Sequence, residues 1–179
     1  MAKKVLIIST SLRGGSNSEI LAKECEKGAS DAGHDVELLS LKGKDIKFCI
    51  GCLCCQSKGT CVLKDDVAEI MEKVLAAEVI VYATPIYYYE MSGQMKTLLD
   101  RANSLYDFDY KFTEIYMLTA AAEDDEHTPD RAVSGLTGWI DCFDRASLAG
   151  TVFAGGVNDE GEIEGHPAIE KAYEMGGRI

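Results

Sequence analysis

The chain has 179 residues, of which 46% are hydrophobic and 27% charged, a balance that suits one soluble globular domain with its own core. A formal net charge of −12 argues against nucleic acid or an anionic membrane surface as a main partner. No apolar run approaches the ~18 residues that cross a bilayer, and "MAKKVLIIST" lacks the h-region and cleavage site of a signal peptide. The expectation is a cytoplasmic protein whose thiols stay reduced.

In chain order, the first apolar, β-branched run is VLIIST at residues 5–10. It leads into SLRGGSNSEI and then a helical face of Leu21, Cys25, Gly28, Ala29 and Ala32. A second strand is expected at 36–41 and is followed by a cysteine-rich stretch. Val67, Ile70, Met71, Val74 and Leu75 form the next helical face, and the third strand is VIVYATP at 79–85. Pro85 ends that run, three tyrosines follow, and Ser92 can cap a helix whose face is Met95, Leu98, Leu99, Ala102 and Leu105. A fourth strand is expected at 114–120, a helix on Ala132, Val133, Leu136, Ile140 and Phe143, and a fifth strand at 150–156. The last helix runs from Pro167 through Ile169, Ala172 and Tyr173 to a stop at Gly176.

Apolar strands alternating with amphipathic helices indicate a parallel sheet covered on both faces. Five strands in one domain spanning 1–179 predict a three-layer α/β sandwich with flavodoxin-like strand order 2-1-3-4-5. Ligands in such sheets bind beyond the carboxyl ends of the strands, which directs attention to the loops after the first, third and fourth.

The first of these loops carries five Ser/Thr hydroxyls within residues 9–18, together with Arg13, Asn17 and the Gly14–Gly15 pair, where a helix begins. Free N–H groups and the helix dipole make that position an anion site. GxxxxGK[ST] and GxGxxG are both absent, and a hydroxyl-rich loop in this place suits the terminal phosphate of a mononucleotide such as FMN. The plainer alternative is a capping box from Ser16 to Glu19. After the third strand, tyrosines and backbone amides can form a wall for a flat ring.

The pairing of SLRGGSNS with TPIYYYEMSGQMKTLLDR resembles the NAD(P)H-dependent FMN reductase and flavodoxin-like oxidoreductase superfamily. The C-terminal GGVNDEGEIEGHPAIEKAYEMGGRI resembles the tail of members with a cysteine-rich second loop. The resemblance implies phosphate contacts from Ser11, Arg13, Ser16, Asn17 and Ser18, and ring contacts from Pro85, Ile86, Tyr87 and Tyr88. It also implies that Thr119 and Ala120 complete the cofactor wall, although TAAAEDDEHT lacks the glycine-rich form of many relatives. The activity implied is hydride transfer from NAD(P)H to FMN and onward to a quinone, flavin or similar small acceptor, in a homodimer. Aromatic and acidic residues around 106–112 would contribute to the dimer contact.

Cys49, Cys52, Cys55 and Cys61 form C-x2-C-x2-C-x5-C, the compact run with which one loop wraps corners of an iron–sulfur cube. Structural zinc more often uses two separated knuckles. The spacing resembles that of iron–sulfur flavoproteins, which implies an alternative: an electron-transfer protein carrying FMN and a [4Fe–4S] cluster. Free thiols covering the flavin pocket are the competing reading. Arg101, Asp100 and Lys96 are expected on a helix surface, Asp65 and Asp66 at a helix start, and His34, His127 and His166 at the surface. Cys25 is expected in the core and Cys142 as a packed thiol.

Overall fold

A computed structural model describes residues 1–106 and 108–179. Five parallel strands form the sheet: β1 (Lys4–Ser9), β2 (Asp35–Ser40), β3 (Val79–Tyr87), β5 (Glu114–Ala120) and β6 (Ser147–Ala154). A short β4 (Glu90–Met91) pairs antiparallel with the end of β3. The order β2-β1-β3-β5-β6 is the expected 2-1-3-4-5 once the parallel strands alone are counted. In-register pairing of Val5 with both Val36 and Val79 makes β1 central, so its carboxyl end opens at the switch point.

The helices cover both faces. The residues of α1 (Asn17–Asp31) and α6 (Ala168–Gly177) bury Leu21, Ala22, Ala29 and Ala172 against Val5, Ile7, Val79 and Val81. On the other face, α3 (Val67–Ala76), α4 (Gly93–Asp100) and α5 (Asp130–Ile140) bury Ile70, Val74, Leu98 and Leu136 against Ile8, Ile80 and Tyr82. Alternate residues of the interior strands β1, β3 and β5 therefore feed different cores, which is why these three are largely apolar along their length.

The structure departs from the sequence-based reading in four places. β3 continues through Pro85 to Tyr87, because Pro85 pairs with Ala120 across a parallel ladder that can spare one amide. β6 begins at Ser147, three residues earlier than expected, since a half-exposed edge strand needs no continuous apolar run. The cysteine stretch contains a short helix, α2 (Cys54–Lys58), between left-handed Leu53 at φ 55° and Gly59 at φ 69°. Segment 106–112 turns part of its aromatic set inward, while Tyr106 and Phe108 stay exposed. Phe112 is fully buried and stacks on Tyr110, and Phe143 meets both rings. Asp107, part of the acidic portion of that segment, lies outside the described residues.

Candidate flavin site and cysteine cavity

The loops after β1, β3, β5 and β6 surround one open cleft at the carboxyl edge of the sheet. Ser11, Arg13, Ser16, Asn17 and Ser18 line one end; Pro85, Ile86 and Tyr87 line one wall and Ala120, Ala121 and Ala122 another. Two expected residues stand outside it. Thr119 is buried in β5 with its hydroxyl donating to the Val152 carbonyl at 3.3 Å. Tyr88 points into solvent, 97% exposed.

The phosphate end is built from a helix start. Ser16 is the N-cap of α1, its Oγ accepting from the Glu19 amide at 3.3 Å, which gives the serine half of the expected capping box. Glu19 reaches back to the Gly15 amide at 2.9 Å. Burial would raise the Glu19 carboxyl, but Lys23, the Gly15 amide and Lys42 hold it below the usual range. Because Glu19 takes up Gly15 and Ser16 takes up Glu19, the amides of Asn17 and Ser18 are left without an intrahelical acceptor, as in any first turn. Ser11 and Ser18 add buried hydroxyls, and Arg13 adds a charge whose Nη1 donates to the Asn158 carbonyl at 2.8 Å.

Asn17 is committed elsewhere. Its Nδ2 donates to the Asp159 carbonyl at 3.0 Å and its Oδ1 accepts from the Ile163 amide at 3.3 Å, which ties the loop after β6 to the cradle. Val157 and Asn158 thereby join the cleft wall. Sequence reasoning missed both; the turn residues in GGVNDEGE were the available signal. It also missed a buried hydroxyl knot in which Ser92 Oγ lies 3.1 Å from both Thr10 Oγ1 and Thr84 Oγ1. That knot joins the loop after β1 to the end of β3.

The second wall ends in a hairpin. Tyr87 pairs with Glu90, leaving Tyr88 and Tyr89 as a two-residue turn with φ of 52° and 66°. Such turns favour Asn and Gly, because a side chain in this region is strained. Two tyrosines holding it at the mouth of a cleft is an arrangement found at functional sites.

The donor set suits FMN: N–H groups, hydroxyls and a guanidinium at one end, and an apolar wall with strand-end backbone at the other.

Separately, the loop between β2 and α3 borders a small cavity lined by Cys49, Cys52, Cys55 and Cys61 with Arg101. Cys54, beside Cys55 in the chain, does not line that cavity. Left-handed Gly51, Leu53 and Gly59 curl the loop so that all four of these cysteines border the cavity, Cys49 and Cys52 remaining exposed. Among the described residues, no three His, Cys, Asp or Glu side chains converge on a point as a single metal ion requires. A cubane cluster presents its irons at separate corners, so ligands that surround a volume fit it better than they fit zinc.

Three assignments change. Arg101 is buried, not on the helix surface. Its Nη1 donates to Asp65 Oδ2 at 2.6 Å and to the Lys47 carbonyl at 2.7 Å. Its Nη2 donates to Asp65 Oδ1 at 3.1 Å and to Cys61 Sγ at 3.3 Å. Asp65 is therefore more than a helix start: burial pushes its carboxyl up, but Arg101 and the Lys47 and Val67 amides outweigh this and hold it below the ordinary range. Cys142 is exposed, not packed. Cys25 is core as expected, and Lys96 and Asp100 form an exposed pair. His127 is exposed beside Asp130, while His34 and His166 are partly covered and accept from the Lys3 and Ala168 amides.

Fold and cleft together define a flavodoxin-like protein with an open cleft at the switch point of its sheet. The model of the NADPH-dependent FMN reductase family matches residues 3–157, and the chain belongs to that family. It is 37% identical over 102 residues to an iron–sulfur flavoprotein of Methanocaldococcus jannaschii, covering 57% of this chain and 53% of that protein. The chain thus spans about half the length of the curated relatives it matches. An azoreductase of Bacillus anthracis superposes with a TM-score of 0.74 at 18% identity, covering all of both chains. An NAD(P)H:quinone oxidoreductase of Methanothermobacter marburgensis superposes at 0.73 and 17%, over 99% and 97% of the two chains. These two show the fold.

Proposed function

We propose that the chain is a cytoplasmic, homodimeric FMN-dependent oxidoreductase that takes hydride from NAD(P)H and passes electrons to a quinone, flavin or similar small acceptor. The observation that carries this reading is the cleft, which gathers every residue expected to bind FMN except Tyr88 and Thr119. When bound, FMN supplies the hydride-accepting ring; the protein's part is binding, orientation and electrostatics.

The first-turn amides of α1, with Ser11, Ser18 and Arg13, hold the phosphate. Pro85, Ile86 and Tyr87 would contact the flavin ring, and the small side chains of Ala120, Ala121 and Ala122 would leave strand-end backbone accessible to it. No side chain need move a proton in hydride transfer, and none is assigned that role. Anaerobic mixing with NADPH and then NADH tests the reading: bleaching of the bound flavin by either is expected, and bleaching by neither overturns it.

A second reading is favoured by the cysteine cavity. Cys49, Cys52, Cys55 and Cys61 line it together, and the set excludes Cys54. Those four thiols would hold a [4Fe–4S] cluster, making the chain a carrier that links a flavin to one-electron partners. Anaerobic purification with iron and acid-labile sulfide analysis is the test. Iron and sulfide in a protein indifferent to both nucleotides would favour the carrier over the reductase.

A further inference from the structure

The Arg101–Asp65 pair is buried to 1% and 0% side-chain exposure, yet it lies outside the flavin cleft. Stability alone is a poor reason for it, because well-packed apolar residues in place of a buried ion pair are often as stable or more so. Its geometry points toward the cysteine cavity. Asp65 takes both arms of the guanidinium, the Lys47 carbonyl fixes one of them, and the other is left aimed at Cys61 Sγ.

Among the four cavity cysteines, Cys61 most needs such help. Cys49, Cys52 and Cys55 sit in one tight run whose own turns at Gly51 and Leu53 direct them. Cys61 comes after α2 and the reversal at Gly59, on a stretch without regular structure. We infer that Arg101 is a positioning residue for the cysteine cage: it orients the Cys61 sulfur toward the shared cavity and sets an N–H donor and a positive charge against it. The inference rests on the cluster reading above and adds to it a residue outside the C-x2-C-x2-C-x5-C motif.

The test uses the full chain and three variants, Arg101→Gln, Arg101→Lys and Asp65→Asn, each loaded anaerobically with ferrous iron and sulfide. Far-ultraviolet circular dichroism and bound FMN report an intact fold. Arg101→Gln should release iron to a chelator about 10–100-fold faster than the parent, the usual cost of losing an outer hydrogen-bond partner of a metal ligand. Its midpoint potential should move negative, since N–H···S bonds and nearby positive charge favour the reduced cluster. Arg101→Lys keeps the charge without the two-armed geometry, so it should recover much of the potential but not the slow release. A folded Arg101→Gln with parental release and potential overturns the inference, and so does an Arg101→Lys potential as far displaced as that of Arg101→Gln. If Arg101→Gln does not fold, Asp65→Asn carries the test: it keeps the arginine but loosens its anchor, and parental release from it overturns the inference. A parent chain that retains no more iron than Cys49→Ser/Cys52→Ser overturns the cluster reading and this inference together, an outcome distinct from a loaded parent with an indifferent Arg101.

Discussion

Gly28 and Gly176 mark where α1 and α6 meet backbone to backbone. A Cβ on Gly28 would stand 2.0 Å from the Tyr173 carbonyl oxygen, and one on Gly176 would stand 2.1 Å from that of Cys25. Neither obstacle is a side chain that can turn away, so the helices themselves must separate. Alanine is the better helix former by about 1 kcal/mol, but overpacking of this kind costs ~1–3 kcal/mol or more and opens the apolar face behind it. Gly28→Ala and Gly176→Ala should each lower the unfolding free energy by a net ~1–2 kcal/mol, read as a lower urea midpoint at unchanged m-value. A rise in the midpoint would mean the helices sit less tightly than this. In the same contact Cys25 is fully buried, and burial pushes its thiol up to about 12. It is packing material, as its place in the helical repeat implied. Arg101 was misread from the sequence because its partners lie far from it along the chain. Helix position is a local property that the sequence shows, whereas pairing with a residue 36 positions away is not.

At the level of elements, α1 serves the sheet and the cleft at once, because Ser16 both caps the helix and lines the phosphate end. The two roles separate in Ser16→Asp. Aspartate caps about as well as serine, so thermal stability should stay within ~1 kcal/mol. A carboxylate beside a phosphate meets repulsion of ~4 kcal/mol at about 4 Å in partly screened surroundings, so FMN affinity should fall at least ~100-fold. Retained affinity would show that the cradle holds something other than an anion. The hairpin between β3 and β4 is open to a similar separation. Tyr88 is almost wholly exposed, so Tyr88→Asn loses little packing while easing a left-handed residue that costs roughly 1–2 kcal/mol. Melting should rise by about 2–4 °C for each kcal/mol regained. The five long strands and five long helices were legible because each buries a face whose period is written locally. The β4 hairpin and α2 were not: two-residue and five-residue elements leave no period to read, and their turns at Tyr88, Tyr89 and Leu53 run against residue preference.

Across the whole molecule, function gathers at one edge of the sheet, and the ties that gather it are polar and long-range. The Thr10–Ser92–Thr84 knot joins the first and third loops, Asn17 joins the first to the last, and the Asp65–Arg101 pair joins the cysteine loop to the end of α4. Residue type and strand order were enough to foresee which loops meet, but not which side chains bind them to one another. Of these ties, the ion pair alone titrates, which makes it the one that acid can release. The folded Asp65 carboxyl is held below its unfolded value of about 3.9. Its contribution is therefore complete above that value and is lost as the pH falls through the lower, folded one. Asp65→Asn removes this titration and leaves Arg101 buried without its counter-charge, at a cost of ~3–5 kcal/mol near neutrality. General protonation of the other carboxylates weakens parent and variant alike, so the difference between them isolates this pair. Urea midpoints measured from pH 7 down to pH 3 should show a gap that is constant to about pH 4 and narrows below it. A gap that holds its full width down to pH 3 would contradict the lowered carboxyl, because the unfolded chain takes up its proton below about 3.9 whatever the folded value. A gap that closes well above pH 4 would contradict the lowered carboxyl altogether.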